Sequence, residues 1–524
     1  MGGKQMNAKQ EDFLARRQRV LAMGGTERVN KQHSRGKLTA RERLDLLFDE
    51  GTFEEIGMFA EHRSVNFGME RQYIAADGVV TGYGKVNGRW VYAYAQDFTS
   101  RGGSVGEIHG KKIIRLMEEA LRAGRPVVGM NDSGGGRIQE GNDTQCYTYI
   151  FNKNVHASGY IPQVAAIMGS CAGGAAYCPA LMDFIISVDK TSKMFLTGPK
   201  VIKQVIGEEP DPEVFGTALF HNSVTGVSHK MAVDDYDCIG QIKLYLSYFP
   251  QNCNEKPPVY ACDRDPGELV PGLNELVPEN PRAPFDGRKA IELIADNDSV
   301  FEIQPLWGKT IITALARLNG NSVGFIASQP VVVAGVLDIN SSDKMAHFVT
   351  VCDAFNIPLV WLGDVPGFMP GTDQETGGII RHGAKTLYAL NQATVPKIRI
   401  AMRKLYGGAT AAMCDDGSEP DLTISWPTAQ EAVMGAEGAA PIIFDKELKQ
   451  AREAGGEEGY QAKLAEVVKE YEEKFNNPYY KARRLYTDMV IMPDETRRVL
   501  IHTLEALESK KVVYQEKKHG IFPV

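Results

Sequence analysis

Pro126-Val-Val-Gly-Met-Asn-Asp-Ser-Gly-Gly-Gly136 has a counterpart about 232 residues later, Pro358-Leu-Val-Trp-Leu-Gly-Asp-Val-Pro-Gly367. Each is a short apolar run that ends on an aspartate, Asp132 or Asp364, and passes into glycine. A run of this length between proline and glycine reads as a buried strand. The match extends outward. Upstream, Asn87-Gly88 and Asn319-Gly320 each join two β-like runs, the second ending near Gln96 or Gln329. Both read as hairpin turns, because Asn-Gly supplies the two positive-φ residues of a tight turn. Downstream, Ile161-Pro162-Gln-Val-Ala-Ala-Ile-Met-Gly leads to Gly173-Gly174, and Val395-Pro396-Lys-Ile-Arg-Ile-Ala-Met leads to Gly407-Gly408. The distance from proline to aspartate matches in both passes, and so does that from the second proline to the glycine pair. A repeated strand, glycine loop and helix predicts two similar pockets, one per half, in an enzyme that handles two ligands.

The surrounding pattern is α/β. Ile113 to Ala123 reads as a helix stopped by Gly124, and a second helix is expected from about Asp343 to Phe355. Strands alternating with helices imply βαβ units in each half. Residues 8 to about 50 read as amphipathic helix, with Thr39 as a candidate N-cap. The 445–490 region reads as charged helix with breaks at Gly455-Gly456 and Asn477-Pro478. The expected division is an N-terminal domain over 1–255, a proline-rich linker over 256–285 and a C-terminal domain over 286–524.

At 524 residues the chain exceeds one ordinary core, and its 43% hydrophobic and 24% charged residues suit a soluble globular protein. The net charge of −8 argues against nucleic acid as a partner. One basic stretch, Arg16 to Arg43, reads first as a solvated helical face and second as a patch for an anion or a partner subunit. Eight cysteines lack CxxC spacing and fit reduced thiols of the cytoplasm. No secretory signal and no run of ~20 apolar residues is found.

The glycines carry the chemistry. Glycine lets backbone approach a ligand, and N–H groups at the start of a helix point at negative charge. Two such groups side by side can form an oxyanion hole. Gly173-Gly174 and Gly408-Ala409 are the candidates. No phosphate-binding P-loop, GxSxG elbow or HExxH cluster occurs, and no metal site is expected. Asp132 and Asp364 read as residues that hold the loops, and His382 beside Arg381 as structural or binding. Oxyanion holes without an obvious side-chain base suit a reaction whose base comes from a cofactor or substrate.

The chain resembles the carboxyltransferase family of biotin-dependent acyl-CoA carboxylases and decarboxylases, of the propionyl-CoA carboxylase β, methylmalonyl-CoA decarboxylase α and large transcarboxylase subunit type. The likeness rests on Lys37-Leu-Thr-Ala-Arg-Glu-Arg-Leu, Ala76-Asp-Gly-Val-Val-Thr-Gly, Ser133-Gly-Gly-Gly-Arg-Ile-Gln-Glu, Cys171-Ala-Gly-Gly-Ala, Asp364-Val-Pro-Gly-Phe, Gly377-Gly-Ile-Ile-Arg-His-Gly-Ala-Lys and Tyr406-Gly-Gly-Ala, among others. It implies two tandem crotonase-like domains of ββα superhelix type. It implies hexamers, with sites formed between the N-domain of one chain and the C-domain of another. Acyl-CoA would bind the N-domain, with Gly173 and Gly174 on the thioester enolate oxygen. Gly102, Gly103, Ser104, Gly135, Gly136, Arg137 and Ala172 would be further contacts there. Biotin would arrive on a carrier protein, since this chain has no Met-Lys-Met biotinylation sequence. Its ureido oxygen would meet Gly408 and Ala409, beside Pro366, Gly367, Phe368, Gly407, Thr410 and Ala411. The ureido nitrogen would take the substrate α-proton after CO2 release. The implied partners are a biotin carboxyl carrier protein and a biotin carboxylase subunit, or a membrane decarboxylase subunit. The implied location is cytoplasmic, and peripheral to the membrane in a decarboxylase complex.

The chain departs from the family pattern at Gly136, at Ser170 and at Thr410-Ala411. By resemblance the last pair lines the acyl pocket, and small side chains there predict room for a larger or atypical acyl group. The alternative readings are the α subunit of a sodium-pumping acyl-CoA decarboxylase running the same step in reverse, or a biotin-independent crotonase-type enzyme with Glu140 as acid or base, and a non-catalytic CoA-binding scaffold is a third.

Overall fold

The structure, a computed structural model, describes residues 6–523, apart from the side chains of residues 142–144. The chain folds as two units, Met1–Lys256 and Pro257–Val524. The first carries strands β1 (Glu54–Ile56), β2 (Val79–Val86), β3 (Arg89–Gln96), β4 (Val127–Ser133), β5 (Gln163–Ala172), β6 (Phe184–Val188), β7 (Lys193–Phe195) and β8 (Lys230–Ala232). They form one sheet in the order β1-β2-β3-β4-β5-β6-β8, with β7 also paired to β5. The second unit carries β9 (Phe301–Ile303), β10 (Ile311–Leu318), β11 (Asn321–Ser328), β12 (Leu359–Val365), β13 (Lys397–Tyr406), β14 (Leu422–Ser425), β15 (Gln430–Ala432) and β16 (Met489–Val490). Its sheet runs β9-β10-β11-β12-β13-β14-β16, with β15 paired to β13. The two orders are the same order. In each unit the first three strands are antiparallel and the rest parallel. The α/β repeat expected from the sequence is therefore present strand by strand.

Both hairpins turn on the expected residues. Asn87 and Gly88 have φ of 49° and 79°, and Asn319 and Gly320 have φ of 48° and 78°. Each turn is clasped by a carboxylate. Asp49 accepts from the N–H groups of Asn87 (3.0 Å) and Gly88 (2.8 Å), and Asp296 from those of Asn319 (3.0 Å) and Gly320 (2.7 Å). The central strands are buried along their whole length, as the apolar runs predict.

Helices cover the sheets. Glu107–Ala123 begins six residues earlier than the sequence suggested and ends on Gly124, whose φ of 61° gives the left-handed stop. Its counterpart is Ile339–Ala354, capped by Asp338. Each helix sends one buried lysine back to the hairpin. Lys112 Nζ donates to the carbonyls of Ala76 (3.0 Å) and Val79 (2.5 Å). Lys344 Nζ donates to those of Gln304 (2.9 Å), Trp307 (3.1 Å) and Ile311 (2.7 Å). The N-terminal region is three helices, Ala8–Leu21, Thr26–His33 and Ala40–Leu47, and Thr39 caps the last. Charged Asp445–Lys474 is one helical path kinked at Gly456.

The proline-rich stretch differs from expectation. Val270, Leu273, Val277 and Phe285 are buried in the core of the second unit, with Trp426, Phe325 and Leu500. The Val270 N–H donates to the Asp494 carbonyl (2.8 Å). Prolines there mark turns within an ordered segment, which its own apolar side chains hold to that unit.

Candidate functional site

Parallel strands end together, so loops that follow neighbouring strands meet at one edge of the sheet. In the first unit Ser133 of β4 pairs with Cys171 of β5, and in the second Val365 of β12 pairs with Leu405 of β13. Both pairs follow a register shift at the same place in the strand. The glycine loop after β4 therefore lies beside the turn after β5, and likewise for β12 and β13.

Asp132 and Asp364 hold these strand ends. Asp132 is fully buried and accepts from Lys37 Nζ (2.7 Å), Gln32 Nε2 (3.0 Å) and Arg43 Nη1 (3.1 Å). Asp364 is as buried, and accepts from Arg403 Nη2 (2.7 Å) and the Lys404 N–H (3.0 Å). A buried carboxylate with this many donors is a structural anchor, the role expected for both. Past Asp132, the Gly134 N–H donates to Gly102 O (2.9 Å), Val105 N–H to Gly135 O (2.9 Å) and Arg137 N–H to Val105 O (2.8 Å). Past Asp364, Leu337 N–H donates to Gly367 O (3.0 Å) and Met369 N–H to Leu337 O (2.7 Å). Gly102-Gly103-Ser104 and Gly134-Gly135-Gly136 are thus stitched together. Pro366-Gly367-Phe368 is the second unit's version, with Phe368 packed at Gly383. A side chain on Gly103 would strike the Asp132 carbonyl, and one on Gly135 would press on that of Ala172. Only glycine allows this approach.

The turns present backbone donors. Gly407 (φ 58°) ties its N–H to the Ala432 carbonyl (3.1 Å), and the N–H of Gly408 finds no acceptor among the described residues. Ala409 opens a one-turn helix, Ala409–Ala412, in which Thr410 is buried and Ala411 half-buried. In the first unit Gly173 (φ 65°) takes the place of Gly407 and opens a 3-10 turn, Gly173–Ala176. Gly174 and Ala175 take the places of Gly408 and Ala409, inside that 3-10 turn, which the Tyr177 N–H closes on the Gly174 carbonyl. The sequence reading named Gly173-Gly174 as the first candidate pair, one position before the residues that align with Gly408 and Ala409. The matched proline-to-glycine spacing already aligns Gly173 with Gly407 and Ala175 with Ala409.

Arg137 also reads differently in the structure. It is buried, and its guanidinium donates to Asp77 Oδ1 (2.7 Å), Glu140 Oε1 (2.7 Å) and the Ser104 carbonyl (2.8 Å). It clamps the two loops. Glu140 is held by this bond and by the Glu107 N–H (2.8 Å). Arg137 lines an open cleft of about 660 Å³ beside Gly102, Ser104, Gly134 and Gly136, and the exposed cationic groups there are Arg28, Lys31, Arg35 and Arg101. The sequence reading preferred a plain solvated face for the first three. Their helical spacing gave no sign that the helix Thr26–His33 borders the glycine loops.

No activated side chain stands at the turns. Burial pushes the Cys171 thiol up to about 12 and Cys146 to about 11, which keeps both protonated. Burial, with Arg137 nearby, pushes His109 down to about 3. In the second unit His382 Nδ1 pairs with Asp343 Oδ2 (2.7 Å), and Lys385 joins the same carboxylate (3.2 Å). The arrangement offers a glycine turn at the same place in each unit, whose backbone N–H groups can hold a developing oxyanion, and one basic cleft in the first unit.

Known proteins are similar to this chain over nearly its whole length. The family described as "Carboxyl transferase domain" matches residues 31–522. The methylmalonyl-CoA decarboxylase subunit alpha of Propionigenium modestum is 49% identical, over 98% of this chain and 99% of that one. The propionyl-CoA carboxylase beta chain of Roseobacter denitrificans is 47% identical, over 98% and 99%. Among solved structures, transcarboxylase 12S has a TM-score of 0.95 at 46% identity, covering 100% of this chain and 99% of that one. That structure shows a hexamer assembly and substrate binding to a multienzyme core, with methylmalonyl-coenzyme A and methylmalonic acid bound.

Proposed function

The chain belongs to the carboxyl transferase domain family, and from that premise we propose that it moves a carboxyl group between carrier-bound biotin and the α-carbon of an acyl-CoA of the propionyl or methylmalonyl type. The observation that carries this reading is the glycine turn at the same place in both halves of one duplicated frame, Gly173-Gly174 after β5 and Gly407-Gly408-Ala409 after β13. Acyl-CoA uses the first unit. Backbone N–H groups of the Gly173-Gly174 turn hold the thioester oxygen as it gains charge on loss of the α-proton. Gly173 and Ala172 shape the turn, and Gly102, Gly103, Ser104, Gly135 and Gly136 wall it. Arg28, Lys31, Arg35 and Arg101 take the phosphates of CoA. Arg137 fixes the loops and leaves the phosphates to these four.

Biotin fits the second turn. A Cβ on Gly408 would meet nothing within 4 Å, so a planar ureido group can approach the backbone there. When bound, biotin supplies the transferable carboxyl group and a ureido nitrogen as base. The Gly408 and Ala409 N–H groups would donate to its ureido oxygen. Gly407, Thr410, Ala411, Pro366, Gly367 and Phe368 would frame it. Donors fixed before the reaction stabilise charge at no reorganisation cost, about 3 kcal/mol for each. The absence of an activated side-chain base at either turn supports this division of labour. The biotin-independent reading needs Glu140 free, and Arg137 holds it. We further propose a hexamer served by a biotin carrier protein. Its partner subunits, a cytoplasmic biotin carboxylase or a membrane decarboxylase subunit, set the direction.

The test is transfer between free biotin and malonyl-, methylmalonyl-, glutaconyl- and larger acyl-CoA thioesters by the purified full chain. Transfer is expected with at least one three- or four-carbon thioester. Hydration of an enoyl-CoA without transfer from any thioester would overturn the reading.

A further inference from the structure

The two turns share a backbone but differ in support. The position of Ala172 in the first unit is held in the second by Tyr406, the last residue of β13. The Tyr406 hydroxyl donates to Gln430 Oε1 (2.8 Å) and accepts from Asn476 Nδ2 (3.3 Å). Gln430 opens β15, which pairs with β13 from Lys404↔Gln430 to Tyr406↔Ala432. Ala432 in turn supplies the carbonyl that takes the Gly407 N–H (3.1 Å). The ring is wedged from its other side. A Cβ at Gly435 would lie 3.2 Å from Tyr406 Cε2. Asn476 is 5% exposed, so the relay ends in the interior. In the first unit Ala172 has no hydroxyl, and it pairs with Phe195 of β7 without such a side-chain tie.

We propose that Tyr406 is a positioning residue. Through Gln430 it locks β15 against the end of β13, pins the Gly407 N–H on Ala432, and so aims the Gly408 and Ala409 N–H groups at one point. The inference rests on the reading that this turn receives biotin. The relay itself is a statement about backbone order and stands or falls separately.

Two measurements on the full chain separate the two. Hydrogen exchange of peptides covering 404–412 and 170–178 reads the relay directly, with no ligand. Tyr406→Phe keeps the ring and removes the hydroxyl. It should speed exchange in 404–412 and leave 170–178 unchanged. Gln430→Met, near-isosteric, should do the same, and the double variant should add little to either, as expected for residues in one network. Unchanged exchange in both single variants would overturn the proposal. Steady-state transfer from methylmalonyl-CoA to free biotin reads the role. Tyr406→Phe should raise KM for biotin about tenfold, the loss of roughly one hydrogen bond's worth of alignment, with KM for methylmalonyl-CoA unchanged. Faster exchange with a shifted KM for methylmalonyl-CoA alone would leave the relay intact and overturn the assignment of this turn to biotin.

Discussion

Gly408 has φ −64° and ψ −20°, a conformation proline shares, and open space where a side chain would begin. Gly408→Pro therefore removes one N–H and nothing else. Transfer should fall by about 10²–10³-fold, the cost of one oxyanion donor, while acyl-CoA binding by calorimetry stays as in the parent. Loss of CoA affinity would show that the two halves are assigned the wrong way round. Gly174→Ala makes the opposite change. It keeps the N–H but places a methyl 3.1 Å from the Tyr147 ring. At this scale the sequence was legible where spacing could be counted. Both turns were found by counting from proline to glycine, which aligns Gly173 with Gly407. What distinguishes the donors is which N–H already has an acceptor. Ala432 is 25 positions from Gly407 along the chain, and no local pattern announces the bond.

The hairpins and their buried lysines show how an element is fastened. Asp296 clasps the Asn319-Gly320 turn and also accepts from Arg497 Nη2 (2.7 Å), a fully buried guanidinium. Asp296→Ala strips two N–H acceptors and weakens the neutralisation of Arg497. A loss of about 3 kcal/mol, read as an earlier unfolding transition of the second unit, is expected. Lys344 makes a prediction about pH. Burial pushes its ammonium down to about 7, far below the unfolded lysine value. Between that pH and about 10.5 the unfolded chain holds a proton that the folded chain lacks, so this group's contribution to stability rises with pH and is lost as pH falls through 7. The difference in thermal midpoint between the parent and Lys344→Met should shift in the parent's favour from pH 7 to pH 9.5. A constant difference would show that the lysine stays charged throughout. Hairpins were the most legible elements, since Asn-Gly dictates its own backbone. The lysines were invisible in the sequence, because only the fold brings a helix to the carbonyls at the mouth of a strand. The prolines of 256–285 misled for a related reason. Proline marks turns, and turns occur inside a packed unit as readily as between units.

For the whole molecule the duplicated frame was readable from two aspartates and two prolines, and the sheet orders repeat it without exception. Charge was less readable. A net charge of −8 conceals a cleft with four exposed cationic side chains around neutral glycine loops. Arg35→Glu with Lys31→Glu should raise KM for acyl-CoA about tenfold or more at low ionic strength. The effect should shrink as salt is added, because exposed charges are screened. Pantetheine thioesters, which lack the nucleotide end, should react alike with parent and variant. Equal loss with both would place the phosphates elsewhere. The unequal support of the two turns bears on how such a chain diversifies. Under the proposed division of ligands, the Tyr406 hydroxyl network backs the turn whose ligand stays the same, and the Ala172 turn, which has no such hydroxyl, faces the acyl group that can differ. Substitutions can therefore retune the acyl group accepted in one half while the other half keeps its fit, and a single gene can explore new substrates without relearning the reaction.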